Sequence, residues 1–301
     1  MISAKMVKEL RDKTGAGMMD CKKALTESNG DIEKATDLLR EKGLATAAKK
    51  SGRVASEGLI STFIEEDKEN ASMIELNCET DFVSMNPEFK ALSDNIAEAV
   101  AKNDVDNLDD VNNLEIDGEK ISVKITDLIA KLGENMNLRR YEKLSVNDGL
   151  IASYVHMGGK IGVLVKVKSE NTSDDVVEVA RDVAMHVAAI NPEFLDKTSV
   201  DEETIEREKE IYKAQAENEG KPSHIAEKMV MGRLNKFFKE SCLVSQDFVK
   251  NPDLTVEGYV KDASKKFGNI EILDFVRFET GEGIEKEVMD FADEVKAQMK
   301  N

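Results

Sequence analysis

The sequence has no tryptophan, and it has only three cysteines and three histidines among 301 residues. The cysteines lie far apart and include no C-x-x-C pair, which favours reduced thiols over a disulfide framework or a zinc site. The histidines are equally scattered and show no metal-ligand spacing: His156, His186 and His224. We therefore expect no bound metal and no cofactor.

Long apolar runs are also missing, since no uninterrupted stretch approaches the roughly 20 residues that span a bilayer. The start, "MISAKMVKELRDKTG", lacks the apolar segment of a signal peptide and carries acidic residues that are unusual in a transit peptide. Acidic residues outnumber basic ones by 60 to 42, giving a formal net charge of -18, and such a surface repels nucleic acid. These features predict a cytoplasmic protein with neither a membrane nor a nucleic acid as a direct partner.

Helical patterning is present at the N-terminus. Ser3 and Asp31 are typical N-caps, and "TGAG" supplies a glycine-rich turn. Apolar residues recur three or four positions apart in three segments and are expected to face inward: Met6, Val7 and Leu10; Met18, Cys21, Ala24 and Leu25; Ile32, Ala35, Leu38 and Leu39. We predict a three-helix domain over residues 1–54, with the third helix ending at Gly43 and the linker "ATAAKKSGRVASEG" after it.

Two later stretches resemble each other. "GLISTFIEEDKENASMIELNCET" begins at Gly58, and "GLIASYVHMGGKIGVLVKVKSE" begins at Gly149. Each opens with Gly-Leu-Ile, runs as an apolar strand, turns, returns on a second strand and continues into an amphipathic helix. A third strand is expected near "NLRRYEKLSV" in the first half and near "IEILDFVRF" in the second. The pattern predicts an α+β fold with antiparallel sheets, built from two duplicated β-β-α-β subdomains over residues 55–146 and 147–280.

Three further segments lie outside this duplication. Residues 103–120 are acidic and turn-rich, and we expect a surface excursion there. Residues 201–240 contain two helical stretches around "ENEGKPS", which predict a protruding helical hairpin. Its thin apolar seam consists of Ile205, Tyr212, Ile225, Met229, Leu234 and Phe237. Residues 281–301 are predicted to form a C-terminal helix with the apolar stripe Val288, Phe291, Val295 and Met299.

The glycine-rich stretches do not have the form of a phosphate-binding loop. "MGGKIG" at 157–162 lies between two strands, whereas a phosphate loop opens a helix, so a hairpin turn at Gly158 and Gly159 is the better interpretation. "TGEGIE" at 280–285 lacks a third glycine. Nothing in the sequence pairs His156 with a nucleophile, and acids are too abundant for Glu79 and Asp81 to mark a catalytic pair. The sequence does not predict an enzyme.

The stretch "NCETDFVSMNPEF" is the most unusual local feature. The second strand of the first subdomain ends there, a carboxylate and an aromatic side chain stand side by side at Asp81 and Phe82, and a helix follows with Asn86 as its N-cap and Pro87 in its first turn. Phe82 either forms a contact for a partner or covers the core of the subdomain. From the residues alone, the core interpretation is favoured.

Motifs along nearly the whole chain resemble those of the bacterial elongation factor Ts family. They are "VKELRDKTGAGMMDCKKALTESNGDIEKA", "ETDFV", "HMGGKIGVLV", "AMHVAA", "GKPSHIAEKMV" and "RFETGEGIEK", in the order of the family. The resemblance implies a ubiquitin-associated-like N-terminal domain, a duplicated core, an inserted coiled-coil hairpin and a C-terminal helix. It also implies a guanine nucleotide exchange factor that binds elongation factor Tu, both GDP-bound and nucleotide-free.

The resemblance further assigns roles to individual residues. The segment that dislocates the partner's Mg²⁺ would be Thr80, Asp81, Phe82 and Val83. Partner contacts would be made by Met18, Met19, His156, Met157, Gly158 and Gly159, and by the weaker candidates Phe248 and Val249. Met18 also has a competing interpretation as helix core, because it shares a face with Cys21 and Leu25.

Two other functions compete with nucleotide exchange. A ubiquitin-associated-type binding scaffold or nascent-chain factor would use the exposed face of the N-terminal domain alone and would leave "ETDFV" incidental. An enzyme that uses His156 would need a catalytic constellation that the sequence does not contain. A pull-down from cell lysate separates exchange from scaffolding, since the first predicts one stoichiometric GTPase-sized partner and the second a range of clients.

Overall fold

The structure, a computed structural model, describes residues 2–220 and 222–285. The predicted C-terminal stripe from Val288 to Met299 lies outside the described residues. Within them the chain is mixed α and β with antiparallel sheets, so the predicted fold class is confirmed. Among the same residues, the helices are either too short or too polar to cross a bilayer.

Three helices form the N-terminal part: α1 (Ala4–Thr14), α2 (Met18–Glu27) and α3 (Ile32–Lys50). Ser3 and Asp31 cap α1 and α3 as predicted, accepting hydrogen bonds from the N–H groups of Met6 at 3.2 Å and Lys34 at 3.1 Å. The predicted end of α3 at Gly43 was wrong. The helix continues to Lys50 because the alanine-rich sequence that follows favours helix. Gly43 lies against a later helix, where an added Cβ would be at ordinary contact distance, 3.4 Å, from the Ala130 Cβ.

The first subdomain begins with β1 (Glu57–Ile64), β2 (Asn70–Cys78), the single helical turn α4 (Asp81–Ser84) and the long helix α5 (Pro87–Lys102). It continues with α6 (Leu108–Asn113), the short strands β3 (Glu115–Ile116) and β4 (Glu119–Lys120), α7 (Ile121–Leu132) and β5 (Met136–Ser145). The main sheet has the order β1-β2-β5 and is antiparallel throughout. Asn86 caps α5 as predicted, accepting the N–H of Glu88 at 2.8 Å.

The acidic segment 103–120 is more than a surface excursion. Val111, in its helix α6, is fully buried. It belongs to the same apolar cluster as Ile121, the first residue of α7. The helix α7 was not predicted, although Ile121, Ile125, Leu128 and Ile129 have helical i, i+4, i+7, i+8 spacing and are all buried. This helix packs against α3 and so joins the N-terminal helices to the first subdomain.

The second subdomain repeats the first with β6 (Gly149–His156), β7 (Ile161–Lys168) and α8 (Asp174–Ile190). The helical hairpin α9 (Glu202–Asn218) and α10 (Ser223–Ser241) is inserted next. The chain then forms β8 (Asp247–Phe248), β9 (Asn251–Thr255), α11 (Val256–Phe267) and β10 (Glu271–Glu279). The main sheet has the order β10-β7-β6, again antiparallel, and both predicted third strands are present as β5 and β10.

The two subdomains share a core between their sheets. It is formed by Ile60, Ala71, Met73, Leu144 and Val146 from the first and by Ile151, Leu164 and Phe278 from the second. Gly162 allows the sheets to approach, because a Cβ there would lie 2.3 Å from the Ile60 Cγ2 atom. The two halves therefore pack directly on each other, which fixes the edge where their loops meet.

The hairpin helices pack mainly on each other, and their apolar contacts are concentrated at the base. Leu234, Phe238 and Cys242 are buried there with Val200, while Phe237 is only half-buried. Phe237 packs against this cluster from its edge, as the predicted seam requires, and Phe238 is a buried aromatic that the seam did not include. The assignment of Ile225 to the seam was wrong, because Ile225 is exposed. Among the described residues of the distal part, the small residues Ala216 and Ala226 are buried.

Deletion of the distal hairpin is expected to leave the rest of the chain folded. A short glycine-serine linker replacing residues 208–230 removes the tip and keeps the apolar base around Leu234 and Phe238. Urea unfolding followed by circular dichroism should remain a single cooperative transition, with a midpoint close to that of the full chain. Loss of cooperativity would show that the distal hairpin is an integral part of the core.

Candidate partner-binding surface

The segment 80–85, here called the Thr80 corner, is fixed to the fold by hydrogen bonds. The Thr80 hydroxyl donates to Oε1 of Glu134 at 2.6 Å, and the Thr80 N–H donates to Oε2 of the same carboxylate at 3.0 Å. Thr80 also caps α4 by accepting the N–H of Val83 at 3.4 Å. Beside it, Glu79 accepts the N–H of Asn135 at 2.6 Å. The corner is thus held from the loop between α7 and β5.

The side chains of the corner divide into two groups. Val83 and Ser84 are buried, and Val83 packs in the core of the first subdomain. Asp81 is exposed, Phe82 is 83% exposed, and Met85 is 63% exposed. Phe82 and Met85 are three residues apart and share the outer face of the helical turn. The interpretation in which Phe82 covers the core of the subdomain was therefore wrong. Val83 packs in that core instead.

The segment 156–160, here called the glycine turn, is the β6–β7 hairpin turn, as predicted. Met157 adopts φ 49° and is 71% exposed, and His156 is also exposed with its Nδ1 2.9 Å from the Tyr154 hydroxyl. Gly158 is exposed, whereas Gly159 is buried. At Gly159 (φ 102°) an added Cβ would lie 2.7 Å from the Leu59 Cδ2, so this position fits glycine alone.

The glycine turn and the Thr80 corner lie at the same edge of the paired sheets. The Gly159 carbonyl accepts the N–H of Ile60 at 2.7 Å, and Lys160 pairs with Glu57 at 2.7 Å. Glu57 is opposite Cys78 in the β1–β2 register, two residues before Thr80. The sequence predicted neither this proximity nor the Glu134 anchor, because both depend on residues that are distant in the chain.

The three cysteines show no sign of nucleophilic chemistry. Cys21, Cys78 and Cys242 are free and fully buried. Burial raises the pKa of the Cys78 thiol to about 12, and the thiol donates to the Thr80 carbonyl at 3.1 Å. A protonated, enclosed thiol is a structural group, and here it supports the Thr80 corner.

Comparison with known proteins places the chain in a family. A family model described as "Elongation factor TS" matches residues 79–282, which is more than half of the chain. The chain belongs to the elongation factor Ts family. Elongation factor Ts of Clostridium tetani is 59% identical over 303 residues, covering 99% of this chain and 100% of the relative. Elongation factor Ts proteins of Clostridium botulinum and Clostridium kluyveri are 59% and 56% identical, with 99% of both chains covered in each case.

Membership of the elongation factor Ts family identifies a protein of translation elongation. The structure shows which of the residues suggested by the family resemblance are on the surface. Met18 and Met19 are 54% and 73% exposed. The expectation that Met18 faces the helical core was wrong, because Met18, the first residue of α2, is exposed, whereas Cys21 one turn later is fully buried.

Phe248, one of the weaker candidates for partner contact, is buried, so its ring is not available to a partner. It is 1% exposed and stacks on Tyr259 with ring centroids 4.2 Å apart. Its neighbour Val249 is half-buried and donates its N–H to Nδ1 of His186 at 3.3 Å. His186 itself is fully buried: burial lowers its pKa, partly opposed by the hydrogen bond between Nε2 and Gln246. This group belongs to the core of the second subdomain.

Proposed function

We propose that the chain is a guanine nucleotide exchange factor that binds GDP-bound elongation factor Tu, releases GDP by displacing Mg²⁺ and holds the nucleotide-free form until GTP binds. The observation that carries the proposal is Phe82, a large aromatic side chain 83% exposed on a rigidly anchored turn. Family membership supplies the context of translation elongation. In this proposal the chain acts on a partner's nucleotide site and catalyses no reaction of its own.

The thermodynamic requirement is differential binding. The factor must bind the nucleotide-free partner more tightly than the GDP-bound partner, and by linkage GDP then binds less tightly to the complex. A thousandfold weakening of GDP requires about 4 kcal/mol of differential binding. Burial of one phenylalanine contributes about 1.5–3 kcal/mol, so Phe82 supplies a large share and other contacts must supply the rest.

The Thr80 corner is well suited to insertion because it is already ordered. Glu134 holds Thr80 through two hydrogen bonds, and Val83 is fixed in the core. A contact segment that is preorganised loses less conformational entropy on binding than a flexible loop would. Mg²⁺ and the phosphates carry the strongest local charges of a GTPase site, so a wedge placed near Mg²⁺ acts on the main determinant of GDP affinity. Asp81, exposed beside Phe82, would contact partner groups in the same region.

The remaining contacts come from two other exposed segments. Met157 of the glycine turn lies at the same edge as the Thr80 corner and would meet a different part of the partner. Met18 and Met19 would contact the partner's nucleotide-binding domain from α2. Val83 and Gly159 are buried and position these contacts, whereas Phe248 is buried in the core of the second subdomain.

The direct test is release of fluorescent GDP from elongation factor Tu in a stopped-flow instrument at increasing concentrations of the chain. The release rate should rise and saturate at a value at least about a hundredfold above the spontaneous rate, corresponding to about 2.7 kcal/mol. A release rate that does not depend on the concentration of the chain would refute the proposed function.

A further inference from the structure

A buried carboxylate, Glu75 in the middle of β2, joins three separate parts of the chain. It is fully buried, and its Oε1 accepts hydrogen bonds from Asn77 Nδ2 at 2.9 Å and from the Gly281 N–H at 2.7 Å. Arg139 Nη1 donates to Oε1 at 3.1 Å, and Arg140 Nε donates to Oε2 at 2.6 Å. Burial by itself raises the pKa of Glu75, but these hydrogen bonds outweigh it, so that the pKa is lowered and the carboxylate stays ionised.

The two arginines extend from Glu75 to the segment 279–283, here called the C-terminal turn. Arg140 Nη2 donates to the Glu279 carbonyl at 3.0 Å and to the Glu282 carboxylate at 3.1 Å. Its guanidinium also lies over the Phe278 ring, 4.1 Å from the centroid. Arg139 Nη2 donates to the Glu282 carbonyl. The C-terminal turn is therefore attached to β2 and β5 of the first subdomain, although it follows the last strand of the second.

The same turn touches the glycine turn and the start of β1. The Thr280 N–H donates to the Lys160 carbonyl at 2.9 Å, and the Thr280 hydroxyl donates to the Gly159 carbonyl at 3.1 Å. Gly281, with φ 73°, lies so close to Ser56 that an added Cβ would be 2.2 Å from the Ser56 carbonyl oxygen. The C-terminal turn thus lies between Glu75, on the strand that ends at the Thr80 corner, and the glycine turn.

A buried ion cluster of this kind is weak evidence for stability, because well-packed apolar residues often stabilise a fold as well or better. Its hydrogen bonds have fixed directions, however, and they define one relative position of the segments that they join. The cluster reaches both exposed contact segments. Its role is therefore better explained as fixing the position of these segments relative to each other than as stabilising the core.

We propose that Glu75 is a positioning residue for exchange: through Arg139, Arg140 and the C-terminal turn, it fixes the spacing between the Thr80 corner and the glycine turn. Phe82 and Met157 then engage the partner as one rigid unit. This inference rests on the proposed function. Glu75 touches neither the partner nor the nucleotide, and it acts only through the segments that it holds.

The test is Glu75→Gln, which keeps the size of the side chain and removes the charge. Fluorescent GDP release from elongation factor Tu should show a maximal rate about tenfold lower, with a half-saturating concentration within about twofold of the wild type, since the contacts survive but their spacing is lost. Glu142→Gln is the matched control, because Glu142 is a half-buried glutamate on the neighbouring strand β5. It should exchange normally.

A double-mutant cycle separates positioning from a general loss of structure. The GDP release rate is measured for Phe82→Ala, for Met157→Ala and for the double variant. In the wild-type background, the effect of the double variant should differ about fivefold from the product of the two single effects. In the Glu75→Gln background, the two should agree within about twofold. If the coupling between Phe82 and Met157 is unchanged in Glu75→Gln, the positioning role is overturned but the proposed function is not. If Phe82→Ala has no effect in the wild-type background, the proposed function fails first and the positioning role fails with it.

Amide hydrogen exchange tests the attachment without the partner. In Glu75→Gln the Gly281 and Thr280 amides should exchange at least about tenfold faster, while amides inside β7 keep their protection. Should Glu75→Gln fail to fold, Thr280→Val removes only the hydroxyl bond to Gly159 and should reduce the Phe82–Met157 coupling in the same direction. Normal protection in the first variant, or full coupling in the second, would overturn the inference.

Discussion

Replacing Phe82 with alanine is expected to slow the release of GDP from elongation factor Tu by about 10- to 150-fold, because a wedge worth about 1.5–3 kcal/mol of burial is lost. The free energy of unfolding should change by less than about 0.5 kcal/mol, since Phe82 is 83% exposed in the free chain. Stopped-flow release of fluorescent GDP and a urea titration of the same preparation measure the two quantities.

Asp81→Asn is the matched variant for this prediction, because it keeps the shape of the corner and removes only the charge. Its release rate should fall by less than that of Phe82→Ala, and a complex should still form through the glycine turn and α2. A Phe82→Ala protein that loses several kcal/mol of stability and still exchanges normally would show that Phe82 is structural.

Phe248→Ala is expected to have the opposite profile. Phe248 is 1% exposed and stacked on Tyr259, so its truncation should lower the free energy of unfolding by about 3–5 kcal/mol. GDP release, measured at a temperature where the variant remains folded, should stay within about twofold of the wild-type rate, because the ring is not available to a partner.

Phe248→Leu serves as the control for cavity size, since it keeps most of the apolar volume and should lose much less stability than Phe248→Ala. If Phe248→Ala slowed GDP release while leaving the urea transition unchanged, the ring would have to reach the partner and could not be packed in the core of the second subdomain. The same substitution, phenylalanine to alanine, is thus expected to affect partner binding at Phe82 and folding stability at Phe248.

Much of the fold could be predicted from local patterns. The repeated Gly-Leu-Ile openings and alternating strands predicted both three-stranded sheets, and Ser3, Asp31 and Asn86 were predicted as N-caps. These features depend on residues a few positions apart. The predicted end of α3 at Gly43 was wrong because a single glycine does not stop a helix when good helix formers follow it and the helix packs on α7.

The candidate site was only partly predictable. The "TDFV" motif located the corner, but its division into a buried Val83 and an exposed Phe82 follows from the one-turn helix α4, which is too short to leave a periodic signal. The anchors of the corner and of the C-terminal turn are Glu134 and Glu75, far from the segments that they hold. Carboxylates are so abundant in this acidic chain that composition could not single out these two.

In the proposed function, Phe82 accelerates GDP release by displacing the partner's Mg²⁺. The most direct measurement compares the wild-type chain with Phe82→Ala in stopped-flow GDP release from elongation factor Tu, with Mg²⁺ present and with Mg²⁺ removed by a chelator. We expect a large difference with Mg²⁺ present and converging rates after chelation, because release without Mg²⁺ no longer needs the wedge. A difference of the same size under both conditions would contradict this role of Phe82.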